Sequence, residues 1–244
     1  MEMQAAVLWE VPGELKIETV TMVDPGPNDV IVQIVGSGVC GSETHLLDGD
    51  FAHFPTPIVP GHEAAGIVAE IGSDVTSVKP GDHVVLGWQP GCGKCARCWS
   101  GDVRRCLNPA SGGLLIDGRP RLSIGNETVH HLAHISGFAE YAIVLERTCI
   151  KIREDAPLEK VCLVGCGVAT GYGAVFYNAK VTPGSSAVVI GCGGVGLNVI
   201  QSLDIALATT IIAVDINDFK LETAKGFGAT HTINSSKVDP IEAV

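Results

Sequence analysis

Between residues 38 and 45 the chain reads Gly38-Val39-Cys40-Gly41-Ser42-Glu43-Thr44-His45. A thiol, a hydroxyl, a carboxylate and an imidazole lie within this short run, the parts needed to hold a metal and to move a proton away from it. A thiolate binds zinc strongly, and a hydroxyl two residues on can reach a group held at that zinc. Taken alone, the stretch reads equally as a glycine-rich turn with a buried cysteine. Other segments supply the missing donors. Gly61-His62-Glu63 follows Pro60 and brings an imidazole and a carboxylate to the end of a turn, and Cys166 sits between Gly165 and Gly167. Cys40, His62 and Cys166 would complete a two-cysteine, one-histidine set with one position open, the arrangement of a catalytic zinc. Spacing by itself also allows an ordinary hydrogen-bonded histidine and an inert core thiol.

A second cluster is more compact. Cys92, Cys95 and Cys98 stand at two-residue gaps, and Cys106 follows. Four thiolates at this spacing close a tetrahedral zinc site with no position left for substrate, so the site is read as structural. The ferredoxin pattern has a shorter last gap and a following proline, whereas Leu107 follows here. His130, His131 and His134 are close together, but hydrogen bonding accounts for them more simply than a metal does.

A third motif concerns phosphate. The apolar run Ala187-Val188-Val189-Ile190 leads directly into Gly191-Cys192-Gly193-Gly194-Val195-Gly196, followed by an apolar helical stretch to about residue 206. A second strand pattern, Thr210 to Val214, ends in Asp215. Glycines between strand and helix let backbone amides approach a pyrophosphate at the helix amino end. An acid about twenty residues further on suits a ribose, and its charge would repel a 2′-phosphate, which favours NAD over NADP. Lys220 is either a flank of the adenosine ribose or a solvated helix lysine.

These groups need elements to carry them. Residues 1 to about 150 alternate short apolar runs (Ala5–Leu8, Val30–Val35, Ile67–Ile71, His83–Leu86) with turn clusters such as Pro12-Gly13 and Pro80-Gly81-Asp82. That rhythm predicts a barrel-like β domain. From about Asp155 the pattern turns helical, then alternates strand and helix. With 244 residues, 46% hydrophobic and 18% charged, the chain has material for a sizeable core. A net charge of -11 without any basic run argues against a nucleic-acid partner. No apolar run has the length of a membrane span and no signal peptide is visible, so a cytoplasmic protein is expected. Nine cysteines in such a chain point to metal rather than disulfides.

With these motifs in line, the chain resembles the zinc-dependent, medium-chain alcohol dehydrogenase family from end to end. The resemblance rests on Gly61-His62-Glu63 with Gly66, Gly72 and Val75, the four-cysteine lobe, Gly165-Cys166-Gly167 and the glycine turn. It implies an α/β protein with a β-rich part: a GroES-like catalytic domain at 1–153 carrying both zinc sites, then a linking helix and the first half of a Rossmann NAD-binding domain at 154–244. Cys40, His62 and Cys166 would hold the catalytic zinc with Glu63 close behind it. Cys92, Cys95, Cys98 and Cys106 would hold the structural zinc. Ser42 and His45 match the proton relay, Glu43 the carboxylate that steadies the histidine ligand, and Trp88 and Phe138 the substrate pocket. Gly191, Gly193, Gly194, Val195, Gly196, Asp215 and Lys220 would bind NAD.

The resemblance implies an oxidoreductase that interconverts an alcohol and an aldehyde or ketone, and a homo-oligomer at full length. Three departures stand out. Glu43 replaces the usual Asp, Gly41 replaces a basic residue near the cofactor phosphates, and only three of six Rossmann strands precede Val244. A fragment that is inactive by itself is therefore expected. A thiol-dependent formaldehyde dehydrogenase of the same family, or a truncated zinc-binding or nucleotide-sensing protein without catalysis, are the alternatives.

Overall fold

The computed structural model describes residues 1–51, 53–108 and 113–244. They form two compact units, Met1–Cys166 and Gly167–Val244. Among the described residues no single helix is long and apolar enough to cross a membrane.

The first unit is built on two β layers. Strands β1 (Glu2–Leu8), β2 (Leu15–Met22), β4 (Ile58–Val59), β7 (Leu122–Ile124) and β8 (Glu127–His131) close into a barrel in the order β1-β2-β7-β8-β4. The second sheet runs β10-β6-β5-β3-β9, from β3 (Asp29–Gly38), β5 (Glu63–Ile71), β6 (His83–Leu86), β9 (Tyr141–Leu145) and β10 (Cys149–Lys151). Alternation decides which side chains go inward: Val30, Val32, Ala64, Val68, Val84 and Leu86 are all but completely buried in one cluster, and Val7, Val20, Val59 and Val129 in another. The expected strands all form, with ends displaced by a few residues, as hydrogen-bond ladders extend past the apolar stretch that announces them.

Residues 154–166, read from the sequence as the start of the second domain, pack with the first unit instead. Helix α3 (Leu158–Val161) and the following turn Cys162–Gly165 lie on β3, β5 and β6, with Leu158 and Cys162 buried against Ala65 and Val85. The approach is close. A Cβ added to Gly36 would sit 2.7 Å from the Glu159 Cα, and one on Gly38 would sit 2.6 Å from Leu163. A short helix with one apolar face goes where that face is covered.

A buried ion pair ties the two layers of this unit. Arg121, just before β7, donates to Asp29 at the start of β3 through Nε (2.7 Å) and Nη2 (3.0 Å), and Nη2 also reaches Asp117 (2.7 Å). Arg121 and Asp29 are both buried, so the fork geometry is what makes the burial tolerable.

In the second unit, β11 (Ser186–Ile190), β12 (Thr210–Asp215) and β13 (His231–Asn234) form a parallel sheet in that order. Helices α5 (Gly194–Ile205) and α6 (Asp218–Gly226) connect them as crossovers. Val189, Ile200, Leu203, Ile211, Ala213 and Leu221 make its core. Two βα units of this kind are the opening half of a dinucleotide-binding fold.

One turn of the first unit has unusual backbone. After β8, Ala133, His134 and Ser136 have φ of 52°, 66° and 64°, a left-handed region that costs non-glycine residues energy. The turn is tied by His131, whose Nδ1 shares a 2.8 Å hydrogen bond with the Ser136 hydroxyl, both residues being fully buried. Burial, with smaller contributions from the charges of His134 and Arg121, pushes His131 down to about 3. The unfolded chain therefore takes up a proton below about pH 6.5 that the folded chain refuses until about pH 3. Stability should fall through that window as pH drops, by about 1.4 kcal/mol per pH unit from this residue. Urea unfolding between pH 6 and 4 should show a shallower slope for His131→Gln than for wild type; identical slopes would remove His131 from the account.

Candidate active site and metal centres

Cys40 leaves the end of β3 as the residue capping helix α1 (Gly41–Asp48), with extended backbone (φ −93°, ψ 159°). Glu43, in the first turn of α1, is 1% exposed and fully engaged. Its Oε2 accepts from the Cys40 amide at 3.0 Å. Its Oε1 accepts from the Gly61 amide (3.3 Å), the His62 amide (3.1 Å) and the His62 Nδ1 (2.6 Å). Burial alone would raise the pKa of this carboxyl, but the hydrogen bonds and charge of His62 and the backbone amides outweigh it and hold it below the usual range. A proton fixed on Nδ1 leaves the His62 Nε2 lone pair for a metal.

Glycines set the other two donors. Gly61 has φ +92°, and a Cβ there would strike the Phe138 backbone at 2.5 Å. Gly165 lies against the Leu86 carbonyl, where a Cβ would come within 2.7 Å, and it delivers Cys166 at the end of its turn. The result is a cluster: one donor atom from each of Cys40, His62, Glu63 and Cys166, all within 4.8 Å of one another. Two sulfurs and an imidazole nitrogen at such separations suit three corners of a tetrahedral zinc, whose bonds of about 2.0–2.3 Å place ligand atoms about 3.3–3.8 Å apart, and the Glu63 oxygen stands by the fourth corner, where a substrate oxygen would take its place. The sequence placed Glu63 behind this set; the structure puts its carboxylate among the donors.

This cluster faces a cavity of about 170 Å³ lined by Ser42, Phe51, Phe54, His62, Trp88, Leu132, Ala133 and Cys166. The Ser42 hydroxyl oxygen lies 3.9 Å from the Cys40 sulfur. His45, one helical turn further along α1, pairs through Nδ1 with Asp50 at 2.7 Å and is more than half exposed. No direct hydrogen bond joins Ser42 to His45 among the described residues, so any relay between them needs an intermediary. Trp88 meets His62 edge-on, ring centroids 6.3 Å apart. Phe138 does not line this cavity, contrary to the sequence reading. It packs on the barrel core with Ala139 and Tyr141 and fills the space beside Gly61. Leu132 and Ala133 line the cavity instead, and little in the sequence announces it, because they stand in the short turn after β8, where Ala133 has positive φ and no long strand or helix periodicity places a side chain.

The four-cysteine lobe is a separate centre. Cys92, Cys95, Cys98 and Cys106 bring their sulfurs within 4.8 Å of one another, and three of the edges measure 3.5–4.0 Å. A zinc–sulfur bond of about 2.3 Å gives tetrahedral edges of about 3.75 Å, so the set fits zinc. None of the nine cysteines is in a disulfide. Backbone and side-chain N–H groups point at the sulfurs: the Cys92 amide to Cys106 (3.2 Å), the Leu107 amide to Cys95 (3.5 Å) and the Asn108 Nδ2 to Cys92 (3.4 Å). Asn108 first, then the Lys94 amide, draws Cys92 down to about 6, while burial pushes Cys98 up to about 11.

In the second unit the glycine turn divides its tasks. Gly191 has φ +90°, and a Cβ on Gly196 would come 1.8 Å from the Gly191 carbonyl. Gly193 and Gly194 have nothing within 4 Å of an added Cβ, so their missing side chains leave open the space that a phosphate approaching the start of α5 would use. Val195 follows on the exposed first turn of the helix. Asp215, at the end of β12, accepts from the Cys192 amide (2.7 Å) and the Asn217 amide (2.9 Å). The Cys192 hydrogen bond is the main reason its pKa is lowered, with Lys220 adding a nearby positive charge. The carboxylate thus braces the turn and keeps lone pairs for a ribose.

Glu43→Ala removes the acceptor that orients His62. It should weaken zinc binding at the Cys40 centre by about 10- to 100-fold and leave the four-cysteine centre filled. Zinc counted by mass spectrometry during chelator titration should drop from two per chain to one at lower chelator than in wild type. Loss of both ions together would point to misfolding instead.

Family models match the chain in two places: the alcohol dehydrogenase GroES-like domain over residues 26–154 and the zinc-binding dehydrogenase region over residues 194–244. Among solved structures, an alcohol dehydrogenase zinc-binding domain protein from Burkholderia ambifaria is 38% identical, with a TM-score of 0.93. Benzyl alcohol dehydrogenase from Acinetobacter calcoaceticus is 36% identical, with a TM-score of 0.92. A Sinorhizobium meliloti structure bound to NADP is 30% identical, with a TM-score of 0.81. Each match covers 100% of this chain, which spans 66% of the first two proteins and 65% of the third. With both family regions in order along one chain, and the zinc donors gathered within the first, the chain belongs to the zinc-dependent, medium-chain alcohol dehydrogenase family.

Proposed function

We propose that this protein interconverts an alcohol and its aldehyde or ketone, with zinc at the Cys40, His62 and Cys166 centre and NAD as redox partner. The observation that carries the reading is the convergence of those donors, with Glu63, beside a mostly apolar cavity lined by His62, Cys166 and Ser42. Bound zinc supplies a Lewis acid that makes an alcohol hydroxyl easier to deprotonate. The nicotinamide supplies the hydride acceptor.

The chain's own residues do the rest. Phe51, Phe54, Trp88 and Leu132 exclude water and hold an apolar substrate body. The Ser42 Oγ accepts the hydrogen bond of the substrate hydroxyl and takes up its proton as its own proton passes outward. His45 stands on α1 nearer solvent, where its pairing with Asp50 steadies it to receive that proton. Glu43 keeps His62 in one tautomer throughout. In the second unit, Asp215 favours a free ribose hydroxyl over a phosphate, because a buried, hydrogen-bonded carboxylate repels a second anion. Benzyl alcohol is a fitting first substrate, given the aromatic walls and the similarity to a benzyl alcohol dehydrogenase.

The test is NADH formation from benzyl alcohol by zinc-loaded enzyme expressed from its complete coding sequence. Cys40→Ser should abolish it and leave one zinc per chain; full turnover in that variant would end the proposal. Ser42→Ala should lower kcat by about 10²-fold or more while both zinc ions stay bound, and an unchanged kcat would remove Ser42 from proton transfer. Asp215→Asn keeps an acceptor for the Cys192 amide but loses the charge. Its preference for NAD over NADP, read from the ratio of kcat/KM values, should fall by about tenfold. A ratio that does not move would mean that another group selects the cofactor.

A further inference from the structure

A second, larger cavity adjoins the reaction cavity. Phe54, Trp88 and Ala133 line both, and the second cavity, about 250 Å³, extends past them along Val103 and Ile116 to His134. His134 belongs to the positive-φ turn closed by the buried His131–Ser136 hydrogen bond, so its position is set by strained backbone that the surrounding packing enforces. Nothing in the proton path or the zinc centres uses this residue, yet the turn that carries it also places Ala133 at the junction of the two cavities.

The imidazole has a defined tautomer. Its Nδ1 lies 3.2 Å from the Trp88 carbonyl oxygen, which can only accept, so Nδ1 carries the hydrogen. Neutral His134 then keeps Nε2 as an acceptor, and the residue lines an otherwise largely apolar chamber. A ligand group suited to that atom donates a hydrogen bond and has no negative charge.

We propose that His134 is the specificity-determining residue for the far end of the substrate, and that the preferred substrates are aromatic primary alcohols, and their aldehydes, carrying a hydroxyl on the ring opposite the reacting carbon. The inference rests on the alcohol-oxidising reading of the same site. The reacting carbon lies beside Cys40, His62 and Cys166. The ring lies between Phe54 and Trp88, and the distal hydroxyl donates to the His134 Nε2. Gln89 and Arg104 are the competing polar side chains lining the cavity, but Gln89 is exposed, and the Arg104 side chain is mostly exposed and 4.0 Å from Asp102. A distal carboxylate would suit Arg104 and would oppose the His134 lone pair.

Calorimetric titration of zinc-loaded, NAD-bound enzyme, from the complete coding sequence, separates these cases with three aldehydes: benzaldehyde, para-hydroxybenzaldehyde and para-carboxybenzaldehyde. The hydroxyl compound should bind about tenfold tighter than benzaldehyde and the carboxylate no tighter than benzaldehyde. His134→Gly tolerates the positive φ and should erase the preference. His134→Asn tolerates it as well, keeps an acceptor oxygen and should retain part of the preference, which guards against a variant that fails to fold. Equal affinities, a carboxylate preference, a preference that survives in His134→Gly, or no binding of any of the three would overturn the proposal. Turnover of the matching alcohols is read separately. Absence of NADH with the binding order intact removes the dehydrogenase reading and leaves recognition by His134 standing.

Discussion

A single buried carboxylate joins the segments that make the reaction centre. Glu43 meets four donors: the amides of Cys40, Gly61 and His62 and the imidazole of His62. An ionised carboxylate out of water costs several kcal/mol unless its lone pairs are filled, and here each oxygen has partners. The same bonds fasten the start of α1 to the turn before β5, and so hold the Cys40 thiol and the His62 ring at one point. Replacing the family's usual Asp by Glu lengthens the arm by a methylene, and the 2.6 Å contact to Nδ1 shows that the longer arm still reaches.

Close backbone packing does the remaining positioning. Gly61 faces Phe138, Gly165 faces Leu86 and Gly38 faces Leu163, each at a distance that excludes a Cβ. These approaches bring β3, β5 and the turn after α3 together tightly enough for Cys166 to reach the donors on the other strands. They also explain why residues 154–166 fold with the first unit: the third sulfur has to be built into the β layers that carry the other ligands.

The two metal centres differ in what surrounds them. The four-cysteine lobe is local, its donors drawn from a short segment whose own amides point back at the sulfurs. Such a site needs little from the rest of the fold. The Cys40 centre draws donors from three distant segments and opens on a cavity with a hydroxyl and aromatic walls. One arrangement stabilises a loop; the other leaves room for a reacting molecule.

Much of this was written in local pattern. The cysteine gaps, the glycine turn between strand and helix, the acid at the end of the next strand and the alternating apolar runs each follow from chemistry within a few residues of itself. For that reason they survive without knowledge of the fold. The cavity walls were not legible in the same way. Phe138 packs on the barrel core beside Gly61, and Ala133 and His134 line the cavity from positive-φ backbone. Nor could the sequence show that Glu43 would collect amides from eighteen and nineteen residues away, or that Glu63 would join the donors. Residue types and short spacings determined which chemistry the chain can perform. Only tertiary packing decided which side chains meet, because convergence of distant segments depends on close contacts that no local periodicity encodes.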